Sequence, residues 1–308
     1  MKKKTSRNLA ASVHQRLLNQ AEQTGEDAQY VHMRYGLERL LYRLSQSEHE
    51  GEFIVKGALL YWVWAGELYR PTKDLDLLAL HSMSPSQLGE VFRDICRLVA
   101  VEDGLVFLPD TVKGEEIREN AAYQGVRVTL EARLGNARIP LQVDIGFGDV
   151  ITPGATKAVF PALLDFPSAE LPMYPKETVV AEKIETMVKL GIVSSRMKDY
   201  YDVWALSREF EFDGQLLWDA ITATFRRRKT PLPVVLPLAL SAEFTGDALK
   251  QKQWQAFLQK GRFKTVEPEL TKVVAAISDF LMPVLIAARQ VEPLATHWPK
   301  GGPWQPKR

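Results

Sequence analysis

Cysteine is almost missing from this sequence: Cys96 stands alone among 308 residues, so no internal disulfide can form. A chain of that length without covalent staples must be held by burial, and 46% hydrophobic residues suffice for a sizeable core. Long apolar runs are lacking too. The longest, Leu232 to Leu240, is too short for a bilayer helix and is broken by Pro233 and Pro237, so no membrane segment is expected. The basic start, Met1-Lys2-Lys3-Lys4, is followed by neither the apolar stretch nor the small-residue cleavage site of a secretory signal. With the single thiol, this predicts a cytoplasmic protein. There is no internal repeat and no long low-complexity tract. An excess of one charge sign is absent from the whole, at +1, but not from its parts. Residues 223–264 carry nine Lys/Arg (Arg226, Arg227, Arg228, Lys229, Lys250, Lys252, Lys260, Arg262 and Lys264) against Glu243 and Asp247. That is a net +7, leaving −6 for the rest, a segregation that suits either a polyanion-binding surface or a solvated helix face.

What is present divides the chain into a mixed half and a helical half. Leu17, Leu18, Leu37, Leu40, Leu41 and Leu44 recur at helical spacing, predicting one or two amphipathic helices over residues 8–47. A strand-sized run, Phe53-Ile54-Val55, leads through Lys56-Gly57 into an apolar helix from Ala58 to Ala65. Asp74 to Leu80 alternates as a strand does, Pro85 to Val99 reads as a helix, and Gly125–Arg133 with Arg138–Gly146 reads as a hairpin about Leu134-Gly135-Asn136. The Pro-rich stretch Pro161 to Pro175 reads as a connector. Helices are predicted beyond it, over Lys176–Leu190, Lys198–Phe210, Gly214–Arg228, Asp247–Lys260 and Leu270–Ala288. The expected architecture is an α/β (α+β) domain over residues 1–165 and a mainly helical one over residues 166–308.

Chemistry concentrates in the first half. Arg70-Pro71-Thr72-Lys73-Asp74-Leu75-Asp76 places two acids two apart in an otherwise apolar strand, so both side chains face one way. Carboxylates that close repel, and a divalent cation between them is the simplest compensation; a solvent-facing strand is the plainer alternative. Lys56-Gly57-Ala58, between a strand and a helix, offers backbone N–H groups that can hold a phosphate, or is an ordinary tight turn. Asp144, flanked by Val143 and Ile145, is costly to bury without a partner, and beside Asp74 and Asp76 it would complete a three-carboxylate metal site.

That order of elements resembles the polymerase-β type nucleotidyltransferase fold with its mixed sheet. The wording Val55-Lys56-Gly57-Ala58-Leu59-Leu60 with Arg70-Pro71-Thr72-Lys73-Asp74-Leu75-Asp76 is similar to the AbiEii/AbiGii toxin family of type IV toxin–antitoxin and phage abortive-infection systems, and the resemblance runs from about residue 10 to 290. In Lys176 to Met187, helical spacing puts Lys183 on the stripe of Val179, Val180 and Met187, where a cation needs an anionic partner. The resemblance implies a nucleotide triphosphate in that role; a salt bridge or a snorkelling lysine is the alternative. Arg196-Met197-Lys198-Asp199-Tyr200-Tyr201-Asp202 matches the family's last motif, which implies that Asp199 and Asp202 shape the site and position the lysine. Many members carry Ser where this chain has Ala58, so a hydroxyl contact to phosphate is missing here.

The resemblance therefore implies a Mg²⁺-dependent enzyme. Asp74, Asp76 and Asp144 would be its metal ligands, Lys56, Gly57, Ala58, Arg70, Thr72 and Lys183 its contacts to an NTP, and Lys183, Asp199 and Asp202 further members of its catalytic set. Its acceptor would be RNA, plausibly the tRNA 3′ end, gripped by Arg226, Arg227, Arg228 and Lys229 with Trp254, Phe257 and Phe263 interleaved. Translation would stop, and an AbiEi-like antitoxin would restrain the toxicity. Two alternatives stay open: transfer to a small molecule or protein, and a GTP- or NTP-binding module without transfer.

Overall fold

The computed structural model describes residues 2–120, 123–261 and 263–307. The chain divides into two compact units, one of residues up to Glu67, Thr72–Gly148 and Thr156–Met173, the other of Leu68–Pro71, Asp149–Ala155 and the chain from Tyr174 onward.

The first unit opens with two helices, α1 (Lys2–Thr24) and α2 (Ala28–Ser45), followed by strand β1 (Phe53–Lys56), a six-residue helix α3 (Leu60–Ala65) and strand β2 (Leu75–Ala79). Helix α4 (Pro85–Arg97) precedes β3 (Leu105–Asn120), β4 (Tyr123–Leu134), β5 (Ala137–Phe147), β6 (Thr156–Phe160) and β7 (Ala169–Met173). Local chemistry sets the helix starts. Asp27 caps α2 by accepting the N–H of Tyr30 at 3.0 Å, and Ser84 with Gln87 forms a reciprocal capping box around Pro85 at the head of α4. The seven strands lie in the order β3-β4-β5-β2-β1-β7-β6. Along β5, Ile139, Leu141, Val143 and Ile145 are buried while the residues between them are not, which is the period-2 signature of a sheet with one covered face. Helix α2 lies against that covered face, and at Gly36 a Cβ would stand 2.9 Å from Leu141, so a glycine there lets helix and sheet approach.

Two findings depart from the sequence reading. The stretch Pro161–Pro175 is not wholly a connector, because β7 within it pairs with β1 at Val55↔Met173 and with β6 along its length. Its prolines disguise an alternation in which Ala169, Leu171 and Met173 are buried. The long strand β3 and the short β6 also escape the reading, since neither shows a clean apolar alternation.

A buried ionic network ties α2 to the loops around it. Arg39 and Arg43 both donate to Asp103, at 3.0 and 2.7 Å, and Tyr35 donates its hydroxyl to the Asp103 carbonyl at 2.7 Å. Glu38 accepts the N–H of Leu163 and Arg39 donates to the carbonyl of Pro167, each at 2.7 Å. Burial pushes the Glu38 carboxyl up to about 7, against the pull of these donors.

The second unit comprises α5 (Lys176–Leu190), α6 (Met197–Glu209), β8 (Phe212–Asp213), α7 (Gly214–Arg228), α8 (Ala242–Gly246), α9 (Ala248–Leu258), α10 (Leu270–Gln290), β9 (Thr296–Trp298) and β10 (Gln305–Pro306). The three short strands form their own sheet in the order β10-β9-β8. By length and composition α10 is a helix that could cross a membrane, a feature outside the run noticed in the sequence. Here Val273, Ile277, Phe280, Leu281 and Val284 are buried among α6, α7 and α8 as the unit's core helix. Residues after Val291 return over it, where Trp304 stacks on Phe280 at 5.9 Å and Trp298 donates to the Ser207 carbonyl at 2.6 Å.

Asp103→Ala leaves Arg39 and Arg43 buried without their shared counter-charge, and the expected loss is about 3–5 kcal/mol in urea unfolding followed by far-UV circular dichroism.

Candidate active site

Register builds the site. On the face opposite α2, Lys56 of β1 stands beside Asp76 of β2, Asp76 beside Asp144 of β5, and Asp144 beside Arg127 of β4. Directly paired residues share a face, so these four make a row across four strands with the two acids between the two bases. Asp74, two residues before Asp76, projects to the same side. One oxygen from each of Asp74, Asp76 and Asp144 lies within 4.8 Å of the others, and all three residues are half-buried.

Each carboxylate has its own support. Thr72 donates its hydroxyl to Asp74 Oδ1 at 2.6 Å. Arg127 grips Asp144 with both arms, Nε to Oδ1 and Nη2 to Oδ2 at 2.8 Å each, and Gln142 Nε2 lies 3.3 Å from both oxygens. Asp76 determines Gly57. At φ +79°, a Cβ on that residue would stand 2.0 Å from Asp76 Oδ2, so the glycine leaves room for the carboxylate. A carboxylate keeps further lone pairs after accepting a bidentate arginine, and three hard oxygen donors converging in this way suit Mg²⁺ or another hard divalent cation.

The segment after Gly57 differs from the expectation. The helix begins at Leu60 and has six residues, and Ala58 is buried, so its side chain is not offered to a ligand. The glycine's observed task is therefore to accommodate Asp76.

The second unit gathers the remaining motif residues around two buried acids. Lys183 Nζ lies 2.8 Å from Asp199 Oδ1 and 2.8 Å from Asp202 Oδ2. Arg70 pairs with both oxygens of Asp202 at 2.7 and 3.0 Å, and Arg196 donates to Asp199 Oδ2 at 2.6 Å. The anionic partner that Lys183 requires is thus this aspartate pair. Burial by itself would raise both carboxyls. The cations outweigh it, Lys183 and Arg196 at Asp199, Arg70 and Lys183 at Asp202, and hold each well below the usual carboxylate range. Burial likewise opposes the charge on Lys183, but Asp199 and Asp202 overcome it and raise the ammonium above its ordinary value.

The basic segment is smaller as a surface than as a sequence. Arg228 turns inward to Asp149 at 3.0 Å and Glu185 at 2.8 Å, a correction to its assignment as an RNA contact. Glu185 is itself buried, so both faces of α5 are covered. Lys250 is buried and donates to the Ser194 carbonyl at 2.8 Å, while Arg262 lies outside the described residues. Arg226, Arg227 and Lys229 remain exposed. Trp254 is fully buried, and Phe257 and Phe263 pack on Tyr201 with ring centroids 5.9 and 4.9 Å away. Trp254 is therefore core, and Phe257 and Phe263, half-buried, are engaged by Tyr201.

The model of the nucleotidyl transferase AbiEii toxin of type IV toxin–antitoxin systems matches residues 39–276. The chain belongs to the AbiEii nucleotidyltransferase toxin family. Among curated proteins, none matches. Of solved structures, JHP933 from Helicobacter pylori is similar over 86% of this chain and 98% of its own, at 12% identity and a TM-score of 0.48. A second H. pylori protein, classed as a nucleotidyltransferase, is similar over 87% of this chain and 100% of its own, at 10% identity and a TM-score of 0.45. Likeness at that level concerns the course of the backbone, not chemistry.

Arg127 was not singled out from the sequence, although a signal for it exists. Counting outward from the Gly135-Asn136 turn, residues equally distant along the two arms face one another, and 127 falls opposite 144. Nothing in the local spacing pointed to Gln142.

Gly57→Ala forces the Asp76 carboxylate aside, and isothermal titration with Mn²⁺ is expected to show about tenfold or weaker binding. The Asp199 and Asp202 carboxyls, depressed in the fold, contribute stability that is fully present above the ordinary carboxylate pKa of about 4 and is lost as pH falls below it. Thermal midpoints followed by tryptophan fluorescence should therefore drop below that pH. An Asp199→Asn, Asp202→Asn variant is expected to start lower at neutral pH and to fall less steeply.

Proposed function

We propose that this AbiEii-family protein transfers a nucleoside monophosphate from an NTP to an RNA acceptor, with the 3′ end of tRNA as the expected target, and so blocks translation. The observation that carries the reading is the convergence of Asp74, Asp76 and Asp144 on one sheet face, which suits a divalent cation and phosphoryl transfer.

Asp74, Asp76 and Asp144 would hold Mg²⁺, which when bound neutralises triphosphate oxygens and favours the deprotonated acceptor hydroxyl. Thr72 keeps the Asp74 carboxylate in one orientation through its hydroxyl. Arg127 and Gln142 do the same for Asp144, the carboxylate we assign to taking the proton of the acceptor hydroxyl. In-line attack of that oxygen on the α-phosphorus forms the new phosphodiester bond and breaks the bond to the leaving pyrophosphate. Lys183 and Arg70, held by Asp199 and Asp202, are the cations we assign to the triphosphate. The acids hold Lys183 and Arg70 as positioning residues.

Support for RNA is electrostatic and comes from Arg226, Arg227 and Lys229, exposed at the end of α7. Membership of a type IV toxin–antitoxin family supports an antitoxin partner, which we take to be AbiEi-like.

Purified protein with Mg²⁺, total bacterial RNA and each α-³²P-labelled NTP in turn is expected to label a tRNA-sized band with at least one nucleotide, and an Asp74→Ala, Asp76→Ala variant is expected to label none. Label entering a small molecule or a protein would move the acceptor. Thermal stabilisation by NTP with no transfer to anything would make the chain a binding module.

A further inference from the structure

The carboxylate site has a weak point in its backbone. Strand pairing begins at Leu75, opposite Val143, so Thr72, Lys73 and Asp74 lie ahead of the ladder, and among the described residues no strand pairing reaches them. One residue of α2 supplies a constraint there. Tyr30 accepts the backbone N–H of Thr72 on its phenolic oxygen at 3.2 Å, and Thr72 donates its hydroxyl to Asp74 Oδ1 at 2.6 Å. Thr72 is buried, so its N–H is costly to leave without an acceptor.

Tyr30 is itself held on two sides. Its own N–H is donated to the Asp27 cap at 3.0 Å. Arg34, one turn along α2, lies 5.7 Å from the centroid of its ring and 4.6 Å from that of Trp62 in α3, and is fixed by an ion pair to Glu26 at 2.8 Å. The run from the Asp27 cap through Tyr30 and Thr72 to Asp74 is thus a continuous path of contacts from the N-terminal helices to the first carboxylate.

We infer that Tyr30 is a positioning residue for the divalent-cation site, setting the Asp74 carboxylate by anchoring the backbone of Thr72. This rests on the reading of Asp74, Asp76 and Asp144 as metal ligands. The N-terminal helices then belong to the machinery of the site as well as to the scaffold. Tyr30→Phe keeps the ring against Arg34 and removes only the phenolic hydroxyl, which separates positioning from packing.

The test is Mn²⁺ binding to the full chain, read by electron paramagnetic resonance, beside the Mg²⁺ dependence of transfer. Tyr30→Phe is expected to bind Mn²⁺ about tenfold more weakly with the far-UV circular dichroism of the folded chain retained and a melting temperature lowered only by the loss of one buried acceptor, and to lose transfer at limiting Mg²⁺ but recover it at saturation. Thr72→Val should be weakened at least as much, and Thr72→Ser, which keeps the hydroxyl, should be restored. Tyr30→Leu gives a second measure and should be no tighter than Tyr30→Phe. Tyr30→Phe and Tyr30→Leu that fold and bind Mn²⁺ as the unaltered chain does, while Thr72→Val is weakened, overturn the role of Tyr30 and leave the metal site standing. Equal Mn²⁺ binding by the unaltered chain and an Asp74→Asn, Asp76→Asn variant overturns the metal reading and the inference together.

Discussion

Two like charges in adjacent strands, Asp76 and Asp144, are the constraint around which the first unit is arranged. Register places them directly side by side, where carboxylates repel. The sheet answers with a base on each flank, Lys56 one strand outward and Arg127 on the other side, so the row alternates inward from positive ends to a negative centre. Much else follows from keeping that centre intact: the glycine at residue 57 leaves room for one acid, and Thr72 and Gln142 restrict two others. The three carboxylates are thus oriented by the protein itself.

The same electrostatic difficulty is met in the second unit by opposite means. Asp199 and Asp202 are more deeply buried than the three sheet carboxylates, and they are met by the side chains of Lys183, Arg196 and Arg70. Where the sheet acids keep oxygens turned toward a common point, the helix acids spend theirs on Lys183, Arg70 and Arg196. The acids of the two units are therefore arranged differently, one set open toward a common point and the other closed within ion pairs.

How much of this was legible depended on whether the signal was local. Asp74 and Asp76 were readable because a period of two is written within three residues, and α5, α6 and α7 because apolar stripes and the Gly191 and Gly214 boundaries mark them. Asp144 was readable as an acid that an apolar strand could not tolerate alone. The partners of these residues were less accessible. The side chain of Arg127 is assigned by pairing across 17 positions, and that of Arg70 by contact with Asp202 across 132. The basic segment misled for a related reason: a count of charges does not say which of them turn inward, and Arg228 and Lys250 do. Strand β7 was hidden by Pro172 within it and by the prolines around it.

The two-residue turn at Gly135-Asn136 has a consequence for how this chain can vary in descent. Because β4 and β5 are measured from that turn, the arms between it and Arg127 and Asp144 act as a ruler of fixed length. One residue gained or lost in either arm would rotate everything beyond it to the other face, turning a guanidinium into the hydrocarbon side and an apolar side chain toward the acids. Insertions there must come in compensating pairs or be confined to the turn itself. Length along this hairpin is thus inherited more strictly than composition, and a relative is better recognised by the count of residues between its arginine and its aspartate than by the residues that fill the interval.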